Sequence, residues 1–538
     1  MPQPADGAQQ RGVEDSKHEI GKPLARRVGL PSAALGEPRR EVSFEGVRAE
    51  LPEGLRAPAA ELPAGVEAAE PEEEQGAVTA VLVVHGMGQQ VPFQTLDQVE
   101  TGLRRLEAEK TAVPVAKQPR SNARAVLLGD KVFERLEMKL TGAHGPAWVH
   151  LYEAYWAPLT EGKVTLRDVM GFLLDGGWNG LAKSRESFWR WMFGRRVDFG
   201  RQRTAFKLFL GLGVIGVLVL INALVTAVAA VLVASRSSAG WLSPALLSDL
   251  TVVIVGLVAL LLIFAGLAWK TRWMGFFYLA IASVLASGLA LLVLLAWHRL
   301  SGTTPWPHPP PGLWWKVLFA VFWLGLLRIT LFVRTLLIQY LGDVAAYVAP
   351  QKLDRFNALR SEIKSTVTGT AEAIYGALSA DGRRFEYESV AVVAHSLGSV
   401  VAYDALNALI NLDHLKGDRL RVVPRTRLLL TFGSPLDKTA FLFANQSKKT
   451  TESREALAAA VQPLIQTYEL REFRWVNVFS RKDIISGNLQ FYDDAKNPLS
   501  KGRLVDNRED PDAATPLYAH VQYWENDLVF RELQAALS

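Results

Sequence analysis

The chain has 538 residues, enough for more than one folded unit, and no cysteine, which excludes disulfides, thiolate metal sites and a thiol nucleophile. Its net charge of +5 is too small to indicate a nucleic-acid partner, because many of its basic residues flank apolar segments. The mean hydropathy of +0.12 is high for a water-soluble protein and predicts membrane-spanning segments.

Residues 1–75 are rich in Pro, Ala, Gly, Glu and Arg and show no sustained periodicity, apart from a stretch at 41–49 that predicts one strand. This composition predicts a disordered or loosely ordered leader. The segment lacks the apolar core of a signal peptide, and its acidic run at 67–74 is typical of a solvated stretch.

Residues 76–165 begin the first ordered region. The apolar run at 77–84 predicts a strand buried on both faces, and it leads directly into His85-Gly86-Met87-Gly88. An amphipathic helical pattern and two alternating segments follow. Strand, glycine-rich loop and helix form the first half of a β-α-β unit, which predicts an α/β fold with a mostly parallel sheet.

Residues 166–207 interleave aromatic residues with arginines next to a long apolar run, which favours a membrane-interface segment with snorkelling arginines over a nucleic-acid site. Residues 208–341 then predict a transmembrane block of about four helices. The apolar runs lie at 208–234, 250–269, 273–297 and 313–341. Arg328 and Arg334 interrupt the fourth run, so we expect them to face other helices, a cavity or the interface.

The loops predict the orientation of this block. Basic residues concentrate before the first apolar run, between the second and third, and after the fourth. By the positive-inside rule, both chain ends and residues 342–538 lie in the cytoplasm.

The most informative stretch is the apolar run 389–394, which is followed by His395-Ser396-Leu397-Gly398 and then by helical spacing. Strand, sharp turn and helix place Ser396 at the apex of a nucleophile elbow. Small residues are needed two positions before and after the serine, and here they are Ala394 and Gly398.

A serine needs a general base, and the base needs an orienting acid. Only His414 and His520 follow Ser396, and His414 lies in or just after the elbow's helix, so His520 is the candidate base. Asp483 follows the predicted strand 474–479 and is the favoured acid, with Asp437 as its rival after the preceding strand.

The oxyanion formed on attack needs fixed donors. We expect one from the backbone N–H of Leu397, the residue after the nucleophile. The other should come from Met87 or Gly86 in the glycine-rich loop. His85 and His395 are interpreted as orienting their loops, and no metal-ligand or phosphate-binding spacing occurs, so no cofactor is implied.

Together these motifs resemble the α/β-hydrolase fold, particularly its lipase and esterase branch. The resemblance covers roughly 77–160 and 342–530, and departs from the family in Ala394 and in the membrane insertion. It implies one α/β-hydrolase domain, doubly wound and mostly parallel, divided between 76–165 and 342–538. The chain also looks like bacterial membrane proteins that carry a cytoplasmic hydrolase domain at the inner membrane.

Two functional hypotheses follow. The favoured one is a membrane-anchored serine hydrolase that cleaves a carboxylic ester of a lipid or acylated substrate through an acyl-enzyme. The other is a catalytically inactive binding or scaffolding module attached to a membrane complex or transporter.

Overall fold

The computed structural model describes 78–201 with gaps at 88–89, 143–144, 162 and 164–186, isolated positions between 263 and 347, and 354–537 with gaps at 380–381, 440–451, 484 and 516–517. The predicted leader lies outside the described residues, and so does the predicted membrane block except for those isolated positions. Within the part of the chain that is described, no helix is both long and apolar enough to cross a bilayer.

The described strands fall into one large sheet and one hairpin. In chain order the strands are β1 (Val78–Val84), β2 (Asn122–Leu128), β3 (Lys131–Gly142), β4 (Gly145–Glu153), β5 (Ser187–Met192), β6 (Arg195–Arg201), β7 (Ser389–His395), β8 (Thr426–Phe432), β9 (Arg474–Phe479) and β10 (Asp506–Glu509). The eight-stranded sheet has the order β2-β3-β4-β1-β7-β8-β9-β10. Its strands pair in parallel from β4 to β10, and β2 and β3 are antiparallel additions.

Helices lie between most of the parallel strands along the described chain. Those with described bounds are α1 (Gln94–Thr111), α2 (Asp354–Gly376), α3 (Leu397–Leu415), α4 (Val422–Arg425), α5 (Glu452–Ala460), α6 (Pro463–Gln466), α7 (Ala519–Gln522) and α8 (Leu528–Leu537). The predicted α/β class with a mostly parallel sheet is therefore confirmed.

Both faces of the central strands are buried, which explains their uninterrupted apolar runs. Successive side chains of a strand point to opposite faces. Leu82 and Val392 accordingly pack in one core with α2 and α3. Their neighbours Val83 and Val393 pack in a second core with α1 and α8.

The hairpin of β5 and β6 occupies part of the predicted membrane-interface segment and packs against the second half of the chain. Phe193 donates its backbone N–H to Ile465 O at 2.9 Å and stacks on Tyr468 with ring centroids 3.6 Å apart. The Arg190 guanidinium donates to Phe491 O at 3.3 Å. These aromatic and basic residues thus have partners within the protein, and the interface role of the segment stays a prediction.

Candidate active site

The predicted site residues lie at one edge of the sheet. Strands β1, β7, β8 and β9 are parallel neighbours, so their carboxyl ends meet there. The loops that leave these strands begin at His85, Ser396, Gly433 and Ser480. His520 reaches the same edge from α7, near the end of the chain.

Ser396 forms a tight turn between β7 and α3. Its backbone has φ 52° and ψ −129°, a conformation that non-glycine residues rarely adopt. Its N–H donates to Phe432 O at 3.0 Å, which ties the turn to the end of β8. A Cβ at Gly398 would lie 2.2 Å from His85 O and 2.5 Å from Val84 O. Only glycine therefore lets α3 start this close to β1.

His520 connects Ser396 to Asp483. Its Nδ1 lies 2.9 Å from Asp483 Oδ2, and its Nε2 lies 2.8 Å from Ser396 Oγ. An ionised carboxylate can only accept, so the proton of the first contact belongs to Nδ1. The lone pair on Nε2 then accepts the hydroxyl proton of Ser396. In this arrangement the serine can transfer its proton to the imidazole as it attacks.

Asp483 is buried and held by three donors. Besides His520, the Ile485 N–H donates to Oδ1 at 2.8 Å and the Tyr523 hydroxyl donates to Oδ2 at 3.1 Å. Burial alone would favour the neutral acid, but the charge and hydrogen bond of His520, the Ile485 amide and the charge of Lys438 together lower the pKa of Asp483 to about 2. The carboxylate is therefore anionic at neutral pH.

The alternatives left open by the sequence lie elsewhere. Asp437 is buried with both carboxylate oxygens 3.2 Å from Lys438 Nζ, and burial raises its pKa despite this lysine. His414, with 80% of its side chain exposed, lies 3.8 Å from Asp418 near the end of α3. The residue that contacts His520 is thus Asp483.

The glycine-rich loop lies against the serine. A Cβ at Gly86 would be 3.0 Å from the Ser396 Cβ. The buried His85 accepts the Trp156 N–H at its Nε2 at 3.0 Å, so its Nδ1 carries the proton and donates to Gly86 O at 2.8 Å. Burial lowers the pKa of His85 to about 4, which keeps it neutral. By fixing the Gly86 carbonyl, it also fixes the direction of the Met87 N–H, which points the opposite way in a trans peptide.

Leu397 is the buried first residue of α3. The N–H groups of a helix's first turn have no acceptor within the helix, and the helix dipole places partial positive charge there. Its amide therefore suits a developing anion beside Ser396.

His395, the last residue of β7, contacts the backbone of the candidate base His520. Its Nε2 donates to the His520 carbonyl oxygen at 3.1 Å, and the two rings lie 5.0 Å apart. Burial first, and then repulsion by His520, lower the pKa of His395 to about 3. It is neutral at physiological pH, and its hydrogen bond goes to the residue that carries the base, whereas the sequence interpretation had it orient its own loop.

Sequence reasoning missed three residues around Asp483. Tyr523 contacts the carboxylate, Ser486 contacts the Tyr523 hydroxyl at 3.0 Å, and Lys438 donates to Ser486 O at 3.0 Å. One usable signal was the spacing of His520 and Tyr523, three residues apart, which places both on one face of a helical turn.

Among the described residues, no group of His, Asp or Glu side chains is arranged to hold a metal ion. Comparison of the chain with protein families, curated proteins and solved structures found no match.

Proposed function

We propose that the protein is a serine hydrolase that cleaves a carboxylic ester through an acyl-enzyme. The observation that carries this proposal is the continuous hydrogen-bonded series Ser396–His520–Asp483 at the carboxyl edge of parallel strands. The residues occur in the chain order serine, acid, histidine, which is the order of α/β-hydrolases. We accordingly assign the described domain to that fold.

In the first half of the reaction, Ser396 Oγ attacks the ester carbonyl carbon and its proton moves to His520 Nε2. Asp483 holds the imidazole in the required tautomer and stabilises the imidazolium. The backbone N–H groups of Leu397 and Met87, with Gly86 allowing the close approach, stabilise the oxyanion. Collapse of this intermediate breaks the ester bond, and the leaving alkoxide takes the proton from Nε2.

In the second half, a water molecule attacks the acyl-enzyme. His520 Nε2 accepts a proton from the water and then returns one to Ser396 Oγ, releasing the carboxylic acid. No other reactant is required. The same steps would serve an ester with any acyl chain.

The membrane assignment also belongs to the proposal. The apolar runs between 208 and 341 support a four-helix membrane anchor, with the hydrolase domain on its cytoplasmic side at the bacterial inner membrane. An enzyme held there would meet lipid or acylated esters of the inner leaflet, which makes them the proposed substrate class.

A fluorophosphonate probe tests the hydrolase proposal, because it reacts covalently with an activated serine. We expect the purified full chain to be labelled and the Ser396→Ala variant to be unlabelled. Ser399→Ala is the matched control, since the Ser399 hydroxyl only donates to Ala394 O at 3.2 Å and should leave labelling intact. A folded wild type that resists the probe would support the inactive-module hypothesis instead.

Cell fractionation and a C-terminal reporter test the membrane proposal. The chain should remain with membranes after alkaline carbonate washing, and a reporter fused after Ser538 should read as cytoplasmic. Release by carbonate would contradict the anchor, and an external reporter would contradict the orientation.

A further inference from the structure

The surroundings of Asp483 contain a pair of hydroxyl groups that the proposed mechanism does not use. Tyr523 lies three residues after His520, and both side chains reach the same carboxylate oxygen, Oδ2 of Asp483. The Tyr523 side chain is fully buried, and its hydroxyl also lies 3.0 Å from Ser486 Oγ.

The direction of these hydrogen bonds can be assigned. Asp483 is anionic and can only accept, so the Tyr523 hydroxyl donates its only proton to Oδ2. Its oxygen then accepts from Ser486 Oγ–H at 3.0 Å, because this acceptor is closer than Ser480 O, which lies 3.4 Å from the same Oγ. The Ser486 Oγ in turn can accept the Ser480 N–H at 3.4 Å. The donors therefore all point toward the carboxylate, and bonds in such a chain strengthen one another.

Two further contacts hold this chain of donors in place. The Lys438 ammonium donates to the Ser486 carbonyl oxygen at 3.0 Å. This contact holds the backbone of Ser486 and so positions its hydroxyl. The Tyr523 ring packs edge-on to Phe432, with centroids 6.2 Å apart. Burial and the neighbouring Asp483 raise the pKa of Tyr523 far above its ordinary value, so its hydroxyl stays a donor at every working pH.

We propose that Tyr523, oriented by Ser486, is a positioning residue that fixes the Asp483 carboxylate and moderates its attraction for the protonated form of His520. The inference rests on the proposed hydrolase function. A carboxylate oxygen that accepts from two donors is a weaker acceptor for each of them. Removing the hydroxyl would leave Asp483 Oδ2 with the His520 Nδ1–H as its one side-chain donor among the described residues, and so strengthen that contact.

The test is the rate of fluorophosphonate labelling as a function of pH in the full chain, with wild type beside Tyr523→Phe. The variant keeps the ring and removes only the hydroxyl. We expect the acid limb of the profile to move to higher pH by about half a unit, and the limiting rate to fall roughly threefold to tenfold. The other ionisable groups facing the triad, His395 and Lys438, are unchanged in this variant.

The matched control is Tyr518→Phe, whose hydroxyl bonds to Glu525 at the surface and which should behave as wild type. Ser486→Ala should move the limb in the same direction by less, and should add no shift to Tyr523→Phe, because it acts through that hydroxyl. If Tyr523→Phe does not fold, the shift in Ser486→Ala carries the test.

If the acid limb of Tyr523→Phe lies at the same pH as that of the wild type, the inference is overturned. A lower limiting rate in the variant would not rescue it, because a lower rate alone would reflect a structural role only. With the wild type labelled, such a result leaves the hydrolase proposal standing. If the wild type is never labelled, both the hydrolase proposal and the inference about Tyr523 are contradicted.

Discussion

Replacing Asp483 with asparagine separates the orienting role of this carboxylate from its role in folding. Three donors converge on it: the Ile485 N–H on Oδ1, and the Tyr523 hydroxyl and His520 Nδ1–H on Oδ2. An asparagine amide can accept at one position and must donate at the other. The backbone N–H cannot reverse its direction, so the amide oxygen stays with Ile485.

The amide NH2 of the variant then faces His520 and Tyr523, which can both reverse. His520 changes tautomer and carries its proton on Nε2, opposite the Ser396 hydroxyl. The serine loses its base while nearly every hydrogen bond is kept. We expect labelling and ester hydrolysis to fall by about 10³- to 10⁴-fold, with a nearly unchanged melting temperature.

Asp437→Asn is the matched comparison, because Asp437 is a buried aspartate after β8 and the rival candidate for the acid. It leaves the buried Lys438 ammonium without its carboxylate, which costs about 3–5 kcal/mol and lowers the melting temperature by roughly 10 °C. Activity per folded molecule should stay within about tenfold of wild type, because Asp437 does not contact His520. Thermal denaturation and an ester assay on the same samples distinguish the two variants. If the Asp437→Asn protein were folded but inactive and the Asp483→Asn protein were active, the assignment of Asp483 as the acid would be refuted.

Two further predictions concern stability. Gly398→Ala should destabilise the chain by several kcal/mol and lower its melting temperature, because the new methyl would lie 2.2 Å from the His85 carbonyl oxygen. Gly369→Ala in α2 is the control. The nearest atom to its new methyl is 3.9 Å away, so this variant should be neutral or slightly stabilising. A Gly398→Ala protein as stable as wild type would contradict the close approach. The free energy of unfolding should be highest above about pH 6.5 and fall as the pH drops toward 4. Burial lowers the pKa of His85 to about 4 and of His150 and His395 to about 3. The unfolded chain binds protons at these histidines from near pH 6.5, so acid favours the unfolded state. Melting temperatures measured from pH 8 to pH 4 check this, and a flat profile would contradict it.

The strands of the parallel sheet could be predicted because burial on both faces leaves uninterrupted apolar runs, as in β1 and β7. The candidates Ser396 and Asp483 could be singled out because Ser396 directly follows β7 and Asp483 lies in the loop that leaves β9. β2 was not predicted. It is an edge strand with mostly exposed side chains, so no apolar pattern marks it.

Other features depend on partners distant in sequence. Asp437 and Asp483 both follow strands, so the strand pattern alone cannot show which of them contacts the histidine. The adjacent Lys438 pairs with Asp437 and was a local signal against Asp437 as the acid. Arg190 is satisfied by a carbonyl oxygen 301 positions away, which no local pattern reveals. Tyr523 contacts a carboxylate 40 positions earlier in the chain, and its spacing of three residues from His520 is the one local sign of that role.

Mass spectrometry of the acyl-enzyme is the most direct test of the central claim, that Ser396 forms a covalent intermediate. The full chain should be mixed with a p-nitrophenyl ester and quenched in acid during turnover. The account predicts one acyl group per chain, located on Ser396, and none in Ser396→Ala. An adduct on another residue, or ester hydrolysis that persists in Ser396→Ala, would contradict it.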